Sequence, residues 1–171
     1  ASLFCLARVN NLPAHLERLE LMSFDKLVFD SYYLGLMRSR LLENIPPSSG
    51  NLPRRFFISR LGNDLRRYNE AQLINVVTEL EIEVLDPASL SLTDQITLFG
   101  NAELIVGASG AAFTNLLFCG SKAQAVCLIG RKYDASSFSA LAAFAEAELT
   151  YIVGVPKTSK LHAFKLPQAL I

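Results

Sequence analysis

The sequence predicts a Rossmann-like α/β domain in three layers, built on a parallel sheet. Two observations carry that expectation. Five short apolar runs, at residues 56–59, 82–85, 104–107, 125–129 and 150–153, read as strands buried on both faces. Between them lie stretches with helical spacing, at 69–80, 92–101, 110–118 and 136–146. Strands alternating with helices of this length imply βαβ units and right-handed crossovers. The 171 residues, 51% of them apolar, suffice for one domain with a real core.

Along the chain, the first segment reads as helical before a boundary. Tyr33, Leu36, Met37 and Leu41 fall at helical spacing. "IPPSSGNLPR" then interrupts, because three prolines, two serines and a glycine continue neither a helix nor a central strand. The expected division is 1–45 as the remainder of a preceding domain, 46–54 as linker and 55–171 as the Rossmann-like domain. In the helix at 69–80, Leu73, Val76, Val77 and Leu80 share one face. Asn69 with Gln72, and Ser91 with Asp94, have the spacing of reciprocal helix-start pairs.

Composition excludes several partners. Sixteen basic and sixteen acidic residues cancel, which argues against nucleic acid or an acidic membrane surface. No apolar run reaches the ~20 residues of a spanning helix, and "ASLFCLARV" is too short for a signal peptide. Its initial alanine points to a trimmed or partial chain. Cys5, Cys119 and Cys127 share no metal-ligand spacing and read as small core residues in a reducing compartment. No Asn-x-Ser/Thr occurs, so a cytoplasmic location is expected.

Ligands of such sheets bind beyond the carboxyl ends of the strands. Two features collect there. "IVGASGAAFTNLLFC" places Gly107, Ser109, Gly110 and Ala111 where a strand gives way to a helix. Small side chains let an anion approach the uncapped amides of the helix start. The G-x-x-G spacing fits neither a dinucleotide fingerprint nor a Walker loop, and a tight turn accounts for the glycines on steric grounds alone. The second feature, "RRFFISRLGNDLRRYNE", holds five of the ten arginines. Arg60 follows the first strand, while Arg66 and Arg67 precede the next helix. Their forks suit phosphate, although a solvated basic loop has the same composition, and Arg54 and Arg55 fall at the opposite strand end. Together the features predict arginines and a helix start converging on a phosphate-bearing ligand.

"RRFFISR", "RRYNE" and "DPASLSLTDQITLFGNAELIVGASGAAFTNLLF" resemble the conserved half of glycosyltransferase family 61 over about residues 54–129. The order Ser-Arg, Arg-x-x-Asn-Glu, Leu-Ser-x-x-x-Gln, Gly-Ala-Ala-x-Thr-Asn is more specific than any one of these motifs. The resemblance implies a GT-B architecture whose C-terminal half binds the donor, with 1–45 left from the acceptor-side domain. It implies inversion without a catalytic metal, a UDP-type nucleotide-sugar donor and a polysaccharide or glycan acceptor in capsular or surface polysaccharide biosynthesis. A place in the bacterial cytoplasm, peripheral to the inner membrane, accompanies that role. No cofactor beyond the donor is implied, and no metal: Glu81-x-Glu83 and Glu146-x-Glu148 read as surface pairs.

Carried over residue by residue, Ser59 and Arg60 match Ser-Arg, with Arg60 assigned to the donor diphosphate. Arg66 matches the arginine before Asn-Glu. Asn69 and Glu70 match that pair, as ligand contacts or as helix cap and first-turn acid, and Glu70 as a residue orienting Arg60 or Arg66. Gln95 reaches the nucleotide or bonds a neighbouring loop; Thr114 and Asn115 contact the ligand or support their loop. Ser109 stands where histidine is common in the family, keeping a capping hydroxyl but not a charge. The family's histidine-rich acceptor motif is not found: His15 and His162 are isolated. Catalytic residues stay unassigned, with Asp25, Asp30 and Glu70 as candidates for the general base. The alternative is a nucleotide-sugar-binding module without turnover. An exposed apolar segment before the linker would favour a homodimer.

Overall fold

The computed structural model describes residues 30–46, 48, 50–60, 68–131, 136–156 and 164–166. Helix α1 (Ser31–Asn44) leads to strand β1 (Arg55–Ile58), helix α2 (Glu70–Glu79), strand β2 (Glu83–Leu85) and a 3-10 turn at Pro87–Ser89. Helix α3 (Leu92–Gly100), strand β3 (Leu104–Ala108) and a 3-10 helix at Ala111–Phe118 follow. Strand β4 (Gln124–Gly130), helix α4 (Ser136–Ala145), strand β5 (Glu148–Pro156) and strand β6 (Phe164–Lys165) complete the described chain. The six strands form one sheet in the order β2-β1-β3-β4-β5-β6. β1 to β5 are parallel, and β6 pairs antiparallel with β5 at the edge. This mostly parallel α/β sheet is consistent with a Rossmann-like fold. The antiparallel edge strand was not expected.

Alternation along β1 explains why both faces are covered. Phe56 and Ile58 point into a core shared with α3, α4 and the 3-10 helix, through Phe99, Phe113, Leu116, Phe138 and Leu141. Phe57 points the other way, onto Leu73 and Val77 of α2 and onto Phe164 and Leu166. All three β1 side chains are at most 1% exposed, so the strand reads as a continuous apolar run. Phe56 also meets Phe99 edge to face, ring centroids 5.3 Å apart.

Helix α1 packs on the first of these cores, with Leu34 buried and Leu41 and Ile45 partly so. Arg38 Nη2 donates to the Cys119 carbonyl at 3.2 Å. The buried stripe runs through Leu34 and Leu41, and not through Tyr33 and Met37, which are exposed. The helix forms where the spacing predicts, and of the four spaced residues Leu41 packs on the core while Tyr33 and Met37 face outward. α2 and α4 end alike, in Glu81 and Glu146, both with φ of 56°. Ile82 N–H returns to Val77 O and Ala147 N–H to Ala142 O, closing the last helical carbonyls. The two Glu-x-Glu pairs are therefore exposed residues at turns into strands.

Two local expectations need correction. Asn69 makes no side-chain cap. Its Oδ1 accepts from Leu166 N at 2.9 Å and its Nδ2 donates to Gln72 Oε1 at 3.0 Å, so a distant segment takes the oxygen a cap would need. The helix after β3 is 3-10 and begins at Ala111; its N-cap is Gly110, which has no side chain to cap with. Ser91 does cap α3, accepting from Asp94 N at 3.1 Å.

Candidate functional site

The order β2-β1-β3 makes β1 and β3 the point where the chain reverses its direction across the sheet. From β1 the next strand is laid on one side, and β3 is laid on the other. Crossovers leaving on opposite sides open a crevice beyond the carboxyl ends of those two strands. Arg60 follows β1 and Ser109–Gly110 follow β3, so both predicted features sit at that crevice.

The two meet directly. Arg60 Nη1 donates to the Ser109 carbonyl at 2.9 Å. A Cβ built on Gly110 would lie 2.5 Å from Arg60 Cζ, closer than real atoms approach. Gly110 has φ 168° and ψ −176°, extended backbone open to any residue. Its requirement for glycine is therefore the guanidinium against its Cα, and not its torsion angles. Arg60 and the turn, expected to converge on a phosphate-bearing ligand, thus touch each other and form one continuous surface. Gly107 answers to a different neighbour: it pairs with Ile58 in register, and a Cβ there would sit 2.7 Å from Ile58 Cβ.

Behind the arginine lies Glu70, 7% exposed. Its Oε1 accepts from Ser59 Oγ at 2.9 Å and from Arg60 N at 2.6 Å. Ser59 is itself buried, and its N–H extends the ladder to Leu85 O at 2.8 Å. Next to this carboxylate the Tyr68 phenol is the one buried side-chain polar atom without a hydrogen-bond partner among the described residues. Burial first, and then the negative charge of Glu70, push its pKa well above the ordinary range, against a smaller opposing effect of Arg60. The phenol therefore keeps its proton.

In front, Phe113 N–H is the first to bond back, to Gly110 O at 2.9 Å, so the Ala111 and Ala112 amides precede the first helical bond. Ala111 is exposed at that start. Thr114 Oγ1 donates to the Ala111 carbonyl at 2.6 Å from an exposed position. Asn115 is buried and donates through Nδ2 to Gln95 Oε1 at 3.1 Å, while Gln95 Nε2 donates to Leu90 O at 3.1 Å. Both ends of the Gln95 amide are thus engaged in tying the start of α3 to the 3-10 helix. Asp94, beside it, accepts from Ser48 and Ser91, hydrogen bonds that hold its carboxyl below the usual range. Arg66, Arg67, Asp25, His15, His162 and Cys5 lie outside the described residues. Asp30 is the N-cap of α1, accepting from Tyr32 N at 2.8 Å. Among the described residues no three His, Cys, Asp or Glu side chains cluster. The participation of Leu166 through Asn69 was missed in the sequence, since only the fold brings residues 97 apart together.

A family model described as Glycosyltransferase 61 matches residues 4–126. The chain belongs to this family. The match reaches some fifty residues further toward the N-terminus than the motifs around Arg60 and Gly110 had indicated, and takes in α1. It also makes the protein a glycosyltransferase, an enzyme that moves a sugar from a nucleotide-sugar donor to an acceptor. No curated protein matches the chain. Among the described residues no helix is long and apolar enough to cross a membrane.

Proposed function

We propose that the crevice between β1 and β3 binds the diphosphate of a UDP-type sugar donor, and that transfer is inverting and metal-independent. The observation that carries this reading is the Arg60 guanidinium held on the Gly110 turn at the switch point of the sheet. A guanidinium offers five N–H donors, and the Ser109 carbonyl takes one. The remaining donors and the Ala111 and Ala112 amides suit the charge that develops on a departing nucleoside diphosphate. Held in place before the donor arrives, they stabilise that charge without reorganising. The acceptor oxygen then attacks C1 from the side opposite the leaving group, which inverts the anomeric centre.

Within this proposal Ser109 and Gly110 shape the phosphate surface, and Gly107 lets β3 lie close to β1. Gln95, Thr114 and Asn115 stiffen the turn, and Ser59 and Glu70 support Arg60. Arg66 adds a second cation to the diphosphate. The general base stays unassigned; Asp30 caps a helix, and Glu70 holds Ser59 and Arg60 through Oε1. The GT-B architecture, the uridine base and a polysaccharide or glycan acceptor of a bacterial surface rest on the family resemblance. On the same footing, residues 1–45 belong to the acceptor side and the enzyme works in the cytoplasm. The burial of Cys119 and Cys127 in the core accords with a reducing compartment.

The test is a thermal-shift series with UDP, uridine and NAD. At one hundred times its Kd, UDP should stabilise the fold by about 2.7 kcal/mol, or roughly 5–10 °C for a chain of this size. Arg60→Ala should remove most of that shift, and EDTA should leave it intact. No shift with millimolar UDP, or an equal shift in Arg60→Ala, would reject the reading.

A further inference from the structure

We propose that Glu70 is a positioning residue for the donor phosphates, acting through Arg60. The inference rests on the donor-site reading above and deepens it. Ser59 and Arg60 are the two residues that follow β1, where the ladder runs out. Ser59 N–H still finds a strand partner in Leu85 O. Arg60 N–H instead bonds the Glu70 carboxylate, at 2.6 Å, and the same oxygen receives the Ser59 hydroxyl. One acceptor thus holds both the Ser59 side chain and the N–H of the Ser59–Arg60 peptide.

At its far end the same arginine is fixed by the Ser109 carbonyl and by the bare Cα of Gly110. Arg60 is therefore held at both ends, and Glu70 supplies the hold from behind. A first-turn acid in α2 would satisfy the helix dipole from an exposed position. That accounts for an acidic residue at 70 but not for its burial, nor for its aim at the end of β1. A buried carboxylate is tolerated when its oxygens are hydrogen-bonded, and here the donors belong to the residue that carries the site. Its acceptor oxygen, more than its charge, is what the geometry uses.

Isothermal titration with UDP tests this on five proteins: wild type, Arg60→Ala, Glu70→Leu, Glu70→Gln and the double variant Arg60→Ala/Glu70→Leu. Glu70→Leu should lose about tenfold in affinity, whereas Glu70→Gln, which keeps an oxygen able to accept twice, should stay within about threefold of wild type. In the Arg60→Ala background Glu70→Leu should cost less than about twofold further, because residues acting as a unit are not additive. Equal fold losses in both backgrounds, or Glu70→Gln as poor as Glu70→Leu, would overturn the proposal. Should Glu70→Leu not fold, Glu70→Asp, which withdraws the oxygen by one methylene, enters the same cycle with the same expected non-additivity. If wild type binds no UDP, the donor-site reading fails first and takes this inference with it. If wild type binds and Arg60→Ala does not, only the Glu70 result decides.

Discussion

At the β1/β3 end of the sheet, Gly110 carries the Arg60 guanidinium against its Cα; toward the β4/β5 end, Gly154 carries the Phe164 ring. The backbone device is the same. A glycine near the carboxyl end of a strand leaves room, and a side chain from elsewhere fills it. Phe164 is 2% exposed, is shared by Gly130 and Gly154, and stacks on Tyr68 with ring centroids 5.2 Å apart. Arg60 stays partly exposed, and among the described residues its side chain donates to the Ser109 carbonyl. One end is closed with an apolar group that serves only the core. The other is covered by a partly exposed cation, on the surface where the proposed donor would bind.

The contrast is broken most severely by removing the two filling side chains. Phe164→Ala should cost about 3–5 kcal/mol, the usual range for a buried phenylalanine, with UDP affinity of the folded protein retained. Arg60→Ala should leave urea stability within about 1 kcal/mol of wild type while UDP affinity collapses. If both variants lost stability equally, the two ends would be the same kind of core and the distinction would disappear.

The glycines sharpen the comparison at a smaller scale. Gly154→Ala forces its new methyl group into the Phe164 ring and should cost about 1–3 kcal/mol of stability, read by chemical denaturation. Gly110→Ala meets the far end of a flexible side chain, which swings away. Its stability should change little, and its UDP affinity should fall about tenfold, or ~1.4 kcal/mol. Tight UDP binding by Gly110→Ala would show that the seat of the guanidinium on the turn is incidental.

The two ends were not equally legible in the sequence. Strands announce themselves as apolar runs even where, as in β2 and β5, part of the strand is exposed, so β1 to β5 fall within a few residues of their expected places. Arg60 and Gly110 could be put at one edge because each directly follows such a run. β6 is two residues long and has no run to betray it. Phe164 and Leu166 are buried by contacts across the fold, and the oxygen of Asn69 is claimed by one of them. Periodicity also failed to separate a 3-10 from an α-helix at Ala111–Phe118, because an almost wholly apolar stretch shows no preferred face. Asn-x-x-Gln and Ser-x-x-Asp looked alike too, because spacing does not show that Leu166 N takes the Asn69 oxygen while Ser91 Oγ caps α3.

Tyr68 joins the two ends, its ring on Phe164 and its hydroxyl in the field of Glu70 and Arg60. Among the described residues the hydroxyl is buried beside the Glu70 carboxylate with no acceptor in hydrogen-bond geometry, a cost that Tyr68→Phe removes while keeping the stacked ring. Stability at neutral pH should therefore rise, by about 1 kcal/mol. The pH dependence follows from the same burial. A phenol whose pKa is raised on folding keeps its proton where the unfolded chain, with an ordinary value of 10.0, releases it. Its contribution is intact below pH 10 and is lost as pH climbs above that value. Cys119, pushed up by burial from 9.0 to about 12, adds a loss of the same sign to wild type and variant alike. Subtracting the two urea curves cancels the thiol and leaves the phenol. The advantage of Tyr68→Phe should consequently widen between pH 8 and pH 10.5. A constant difference would mean that the hydroxyl is solvated; a loss of stability in Tyr68→Phe would mean that it has an acceptor, and that the apolar end reaches further toward Arg60 than its ring.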